Sequence, residues 1–305
     1  MKVLIATEKP FASAAVKGIK EIVEAGNGTV TLLEKYTKRS ELIDALKAAE
    51  ALIVRSDKID KDILDTANNL KIIVRAGAGY DNIDTKYAKQ KGIIVENTPG
   101  QNSNAVAELV FGLLVLAARN SYNGKVGIEL KGKKLGIFAF GNVGRNVARI
   151  AKGFDMDIMA YDAYCPKETI ESEGVMAATS ADELFEKCDI VSLHIPATSE
   201  TRQSIGTNYV SKMKKNAILI NTARKEIIDE AELLETMRQR DDIRYITDIK
   251  PDAEEEFKKL EGRYIGTQKK LGAQTTEANA NAGLAAAKQV MAFFKDGCTQ
   301  YQVNL

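Results

Sequence analysis

The feature that most constrains how this chain can fold is an alternation of short β-rich runs with segments of helical periodicity, repeated twice. In the first hundred residues the runs 3–6, 29–33, 51–54, 72–74 and 93–95 are strand-like, and segments such as 14–25 and 41–49 between them place apolar residues at helical spacing. A second series begins at 134–138 and recurs near 157–161, 190–194, 217–221 and 245–247. This order predicts an α/β fold with two doubly wound parallel sheets, each covered by helices on both faces. Ligand sites are then expected at the carboxyl ends of the strands.

Length agrees with two such domains, because 305 residues exceed what one ordinary hydrophobic core supports. The 43 Lys and Arg nearly cancel the 42 Asp and Glu, so no broad basic surface exists for binding nucleic acid, and a small-molecule ligand fits better. With 45% hydrophobic and 28% charged residues the composition is that of a globular protein. The longest apolar stretch, 105–118, carries Glu108 and falls short of the roughly 18–20 residues of a membrane span, so it reads as a buried helix. The first residues, MKVLIATEKP, run straight into a strand without signal-peptide order, and a cytoplasmic location with no membrane partner is the expectation. Cys165, Cys188 and Cys298 form no CxxC pair and are expected as reduced thiols. The single histidine, His194, removes multi-histidine metal sites and leaves one imidazole for any acid/base role, so no metal is expected.

The turn 97–100 closes the first series, and Asn102 or Ser103 is placed to cap a long apolar helix over 104–119 that links the domains. A further helical segment, 277–296, is long enough to take the chain back to the first domain.

At 135–144 a strand turns into a helix with Ala139, Gly141 and Gly144 at the three positions of a dinucleotide fingerprint. Gly141 would let the backbone approach a pyrophosphate, Gly144 would allow close helix-to-strand packing, and the helix N-terminus would face the anion. Ala139 departs from the pattern, and its methyl is tolerable there if φ stays negative. Asp162, about 20 residues on and after the next strand, is placed to accept hydrogen bonds from ribose hydroxyls and to repel a 2′-phosphate, which favours NAD over NADP. Two alternatives stay open: Asp162 as the mere end of a strand, and some NADP use through nearby Lys167.

Taken with IVRSDKID, VRAGAGYDNID, NTPGQNSNAVAE, VSLHIPAT, INTARKEIIDE, TDI and KKLGAQTTEAN in order, the sequence resembles the D-isomer-specific 2-hydroxyacid dehydrogenases, most of all their short 3-phosphoglycerate-oxidising members. The resemblance covers nearly the whole chain. It implies a flavodoxin-like substrate domain, 1–98 plus 283–305, a Rossmann-type NAD domain, 99–282, and a homodimer. It further implies that Asn142 and Val143, with Gly141 and Gly144, hold the pyrophosphate, that Asp162 binds ribose, and that His194, Ile195 and Pro196 line the adenosine side. Thr222, Ala223, Arg224 and Asp248 would surround the nicotinamide, with Ala78, Lys270, Gly272 and Ala273 also contacting the cofactor. Main-chain N–H groups of Ala76, Gly77, Ala78 and Gly79 would receive the substrate carboxylate, and Arg55, Lys58 and Arg75 its phosphate, unless these three cations are only solvated surface charges.

Oxidising a 2-hydroxy acid requires a cation at the reacting oxygen, a base for its proton and a positioned hydride acceptor. Arg224 suits the first role, with a structural salt bridge as the alternative. The family places a histidine, oriented by a glutamate, in the second. Here Lys270 stands at the histidine position and Ala253, between Asp252 and Glu254, at that of the glutamate. Losing both together is consistent chemistry, because an adjacent anion would hold an amine protonated, whereas desolvation and a neighbouring guanidinium favour its neutral form. Lys270 is therefore expected as the acid/base, with Lys269 the fallback and a surface role for both the alternative; His194 is expected to pack and line the cofactor.

The resulting expectation is NAD-dependent conversion of 3-phosphoglycerate to 3-phosphohydroxypyruvate, which opens the phosphorylated route to serine. Reduction of glyoxylate, hydroxypyruvate or another unphosphorylated acid, and non-catalytic NAD(H) sensing, stay open beside it. The chain ends soon after its last helix, so no C-terminal regulatory domain is expected.

Overall fold

The computed structural model describes residues 1–305, which divide into two compact units: 1–102 with 274–305, and 103–273. The first unit alternates β1 (Lys2–Thr7), α1 (Ser13–Ala25), β2 (Thr29–Glu34), α2 (Arg39–Leu46), β3 (Ala51–Val54), α3 (Lys61–Thr66), β4 (Ile72–Arg75), α4 (Thr85–Gln90) and β5 (Ile94–Asn97). All pairings are parallel, in the order β2-β1-β3-β4-β5, which is the flavodoxin-like arrangement. Successive side chains serve opposite faces: Leu4, Ala6, Leu52 and Val54 pack into one core, and Val3, Ile5, Ala51 and Ile53 into another. Both faces of the strands are buried, which is why they read as continuous apolar runs instead of alternating ones.

The second unit begins with α5 (Ser103–Ala118), the buried helix expected from the apolar stretch. It continues through β6 (Lys134–Phe138), α6 (Asn142–Gly153), β7 (Asp157–Tyr161), α7 (Lys167–Ser172), β8 (Met176–Ala177), α8 (Ala181–Lys187), β9 (Ile190–Leu193), α9 (Thr207–Val210), β10 (Ile218–Asn221), α10 (Glu230–Gln239), β11 (Arg244–Thr247), α11 (Glu254–Lys258) and β12 (Tyr264–Gly266). Its seven strands are parallel in the order β12-β11-β10-β9-β6-β7-β8. The order reverses between β6 and β9, so the loops after these two strands flank a topological switch point of Rossmann type. The two-residue β8 and three-residue β12 were not read from the sequence.

The last helix, α12 (Thr276–Asp296), belongs to the first unit, with the Thr275 side chain accepting from Ala278 N–H at 3.1 Å as its cap. It packs on α1 through small residues: Gly283 brings Ile19 so near that an added Cβ would lie 3.0 Å from its Cδ1. All three cysteines are free, and no helix is long and apolar enough to cross a membrane.

Candidate active site

In the second unit every residue expected to touch a dinucleotide follows the carboxyl end of a strand or begins the helix after it. Gly141 caps α6, and neither a capping side chain nor an acidic residue in the first turn occupies that helix end. The main-chain N–H groups there are left facing outward with the positive end of the helix dipole. A Cβ on Gly141 would meet no protein atom within 4 Å, so the fold itself does not call for glycine at this position and the space is open to an approaching ligand. Gly144 differs, because a Cβ there would strike the Ala139 carbonyl oxygen.

Ala139 requires a correction. Its φ is +79°, not negative, and its N–H donates to Tyr161 O at 2.8 Å, which holds it in the turn. The first fingerprint position therefore needs the conformation that suits glycine, and alanine costs about 1–2 kcal/mol there.

The Asp162 carboxylate ties this loop to the next one. Oδ2 accepts from Phe140 N–H at 2.7 Å, and Oδ1 accepts from Tyr164 and Cys165 N–H at 2.8 and 3.0 Å. A carboxylate offers about four acceptor positions, so one stays available for a ribose hydroxyl. Lys167 pairs with Glu171 at 3.4 Å on the exposed start of α7. His194 follows β9, its Nε2 2.9 Å from Ser192 Oγ, and burial pushes its imidazole pKa down to about 3. The ring is neutral near pH 7 and cannot serve as a proton-donating imidazolium. Ile195 is buried and Pro196 exposed beside it.

The turn after β10 carries the most specific geometry. Arg224 Nη1 donates to Ala223 O at 2.9 Å, and Lys270 Nζ donates to that same oxygen at 3.1 Å. Residues 46 positions apart thus bring a guanidinium and an ammonium to one acceptor. The neighbouring Thr222 hydroxyl is buried without a hydrogen-bond partner. An orphaned hydroxyl beside two cations, together with the open approach at Gly141, fits a bound dinucleotide reaching along the strand ends.

Two buried residues assemble this site. The Asn221 side chain brackets the turn, accepting from Ala223 N–H at 2.9 Å and donating to Arg224 O at 2.8 Å. Asp248 is also fully buried; its carboxylate accepts from Leu271 and Gly272 N–H, both at 2.7 Å, and from the Thr267 hydroxyl at 3.0 Å. Asp248 therefore holds the loop that presents Lys270. Gly272 permits the approach, since a Cβ would lie 3.0 Å from Asp248 Oδ2, and Ala273 is half-buried next to it. Lys269 and Lys270 are both exposed, so the desolvation expected at Lys270 is not found in this unit; what separates the two is that Lys270 Nζ donates to Ala223 O, whereas the Lys269 amine forms no hydrogen bond or ion pair.

The acidic residues flanking the glutamate position are engaged elsewhere. Asp252 pairs with Lys225 at 2.6 Å, and Glu254 with Lys250 and Lys258, each at 3.3 Å. Ala253 itself donates its N–H to Glu230 at 2.7 Å.

In the first unit the expected substrate ligands lie after β3 and at the end of β4. Arg55 Nη1 donates to Lys9 O and Pro10 O, both at 2.9 Å, Nη2 donates to Asn279, and the guanidinium lies 5.2 Å from the Phe11 ring centroid. Much of its donor capacity is thus spent on the fold. Arg75 Nε donates to Arg55 O at 2.9 Å and its guanidinium covers Gly77, whose φ is +151°. Lys58 is largely exposed and lies 3.7 Å from Asp60. Of the four amides expected to receive a carboxylate, two need correction: Ala76 N–H donates to Val54 O and Gly77 N–H to Arg75 O, both at 2.8 Å. Continuation of the sheet and the tight turn consume these donors. Ala78 and Gly79 N–H bond to nothing within the protein, and Asn97 fixes the segment by donating to Ala78 O at 2.6 Å. Buried Asp57, missed in the sequence, holds the loop after β3 by accepting from Glu8 N–H and the Tyr36 hydroxyl, both at 2.7 Å.

Comparison with known proteins bears on this geometry. Residues 114–261 match the family model described as the D-isomer specific 2-hydroxyacid dehydrogenase NAD binding domain. A D-3-phosphoglycerate dehydrogenase of Methanocaldococcus jannaschii is 37% identical across 99% of this chain and 60% of its own length. A glyoxylate reductase of Thermococcus litoralis is 34% identical across 88% of both. Among solved structures, a cofactor (NAD+) bound 3-phosphoglycerate dehydrogenase of Entamoeba histolytica superposes with a TM-score of 0.91 at 46% identity, covering 100% of this chain and 99% of that one. The chain spans 60% and 59% of the lengths of two curated phosphoglycerate dehydrogenases that it matches.

Proposed function

This chain belongs to the D-isomer specific 2-hydroxyacid dehydrogenase family and carries its NAD-binding domain, and on that premise we propose that it interconverts D-3-phosphoglycerate and 3-phosphohydroxypyruvate with NAD. The observation that carries the proposal is the single Ala223 carbonyl oxygen that receives both Arg224 and Lys270.

Gly141, Asn142, Val143 and Gly144 would hold the pyrophosphate of NAD, Asp162 a ribose, His194 to Pro196 the adenosine side, and Thr222 with Asp248 the nicotinamide end. When bound, NAD supplies the hydride acceptor. Arg224 holds the C2 oxygen and stabilises negative charge on it. Lys270 moves the proton. Its neutral amine takes the hydroxyl proton in oxidation and its ammonium returns one to the carbonyl oxygen in reduction. Asp252 and Glu254 are paired elsewhere, with Lys225 and with Lys250 and Lys258. On the first unit, Ala78 and Gly79 N–H would receive the carboxylate, and Arg75 with the remaining donors of Arg55 and with Lys58 the phosphate. The reaction would open the phosphorylated route to serine, and a homodimer belongs to this reading, to be checked by mass in solution.

A second reading, reduction of an unphosphorylated keto acid, draws on a specific observation: Arg55 already donates to Lys9 O, Pro10 O and Asn279. NADH consumption with 3-phosphohydroxypyruvate, hydroxypyruvate and glyoxylate separates the two. At least a tenfold higher kcat/KM for the phosphorylated acid is expected. Preference for glyoxylate supports the second reading, and turnover of none points to NAD(H) sensing.

A further inference from the structure

We infer that Asn221 is a positioning residue for this chemistry: its side chain fixes the peptide between Ala223 and Arg224, so that one carbonyl oxygen gathers both cations. The inference rests on the proposed reaction and deepens it.

Asn221 is the last residue of β10 and is fully buried. Its amide bonds to the peptide planes on either side of the Ala223–Arg224 link. Oδ1 accepts from Ala223 N–H at 2.9 Å and Nδ2 donates to Arg224 O at 2.8 Å. The two bonds restrain the backbone on both sides of that link and so narrow the conformations open to it, and the oxygen of the plane between them is the acceptor for Arg224 and Lys270. The main-chain oxygen of Asn221 extends the tie, accepting from Asp248 N–H at 3.1 Å and from the Thr247 hydroxyl at 3.0 Å. Asp248 in turn grips Leu271 and Gly272 on the Lys270 loop. One residue thus links both halves of the cation pair.

The residue type follows from this use. The site needs an acceptor and a donor on separate atoms of a short side chain, which the asparagine amide supplies. Aspartate keeps the acceptor but loses the donor and buries a charge; alanine loses both. The side-chain bonds span only residues 221–224, so their loss should act on cation placement beyond the cost of leaving two buried main-chain groups unsatisfied. A displacement of about 1 Å in such a group can lower turnover by about 10²-fold.

The test is Asn221→Ala in the full chain, with Asn221→Ser beside it, because a serine hydroxyl can form the corresponding turn to the Ala223 N–H. The expected result is a fall in kcat of roughly 10- to 100-fold for Asn221→Ala, with NADH affinity by fluorescence titration retained, a melting temperature lowered only as far as two lost buried hydrogen bonds require, and partial recovery of kcat in Asn221→Ser. Unchanged kcat, or a loss that tracks NADH affinity and melting temperature alone, would overturn the role. A crystal structure of the variant supplies an arm independent of turnover: a reoriented Ala223 carbonyl with Lys270 detached supports the inference, and an unmoved carbonyl with both cations in place overturns it. If the unaltered protein reduces no keto acid, the proposed reaction fails, and the carbonyl orientation still decides the structural claim. Should Asn221→Ala not fold, Asn221→Ser carries both arms.

Discussion

Arg55 and Arg224 each follow a parallel strand, β3 and β10, and their guanidinium groups are used differently. Arg55 donates to Lys9 O and Pro10 O, contacts Asn279 and lies on the Phe11 ring, tying segments that are distant in sequence. Arg224 donates to the carbonyl of its own neighbour, where Lys270 joins it. The first is spent largely on tying the fold; the second is held beside a like charge, where a guanidinium can stabilise negative charge developing on a substrate oxygen. Position at a strand end identifies both as candidates, and only the identity of the acceptors separates structural from chemical use.

Paired substitutions break or sharpen this contrast. Arg224→Gln should lower kcat by about 10²–10³-fold while moving stability by less than about 1 kcal/mol. Arg55→Ala should do the reverse in kind, destabilising the protein by about 2–3 kcal/mol through several lost hydrogen bonds. Urea midpoints and steady-state kinetics on both variants are the check; an Arg55→Ala protein of normal stability with a selective loss for phosphorylated substrate would place Arg55 with the substrate and not with the fold.

A second contrast lies between the cations and the one imidazole. Burial pushes His194 down to about 3, below its unfolded value of about 6.5, so the native state binds fewer protons than the unfolded chain as the pH falls below 6.5. The associated stability is complete well above pH 6.5 and declines as the pH drops toward the folded value, by about 1.4 kcal/mol at pH 5.5. The histidine ring resonances should stay flat between pH 8 and 5, and His194→Asn should remove this part of the acid slope. An imidazole titrating near 6.5 would return His194 to the list of acids.

The smallest effect concerns two turns. Gly77 and Ala139 both have positive φ after a strand, +151° after β4 and +79° after β6, but only the first is glycine. Ala139→Gly should raise stability by about 1 kcal/mol, the relief of left-handed strain offset in part by the freer unfolded chain. A lower thermal midpoint would show that the methyl group packs favourably enough to outweigh its backbone cost.

The alternation of runs and helices was sufficient to read both sheets, because burial on two faces makes each strand an uninterrupted apolar run. β8 and β12, at two and three residues, were too short to leave such a signal. The site was legible in its charged residues and not in what holds them. Asn221 and Asp57 act by accepting main-chain N–H groups, as does Asp248, which the sequence placed at the nicotinamide and not as a brace; a main-chain donor leaves no trace in the residue type that supplies it. The same reason explains Ala76 and Gly77, whose amides looked available until the sheet and the turn were seen to use them.

The most direct measurement is single-turnover reduction of 3-phosphohydroxypyruvate by Lys270→Ala, with Lys269→Ala as its neighbour control and NADH affinity measured on both. The account predicts a loss of about 10²-fold or more in the first, with NADH binding retained, and near-normal turnover in the second. Undiminished turnover in Lys270→Ala would contradict the claim that this amine carries the proton.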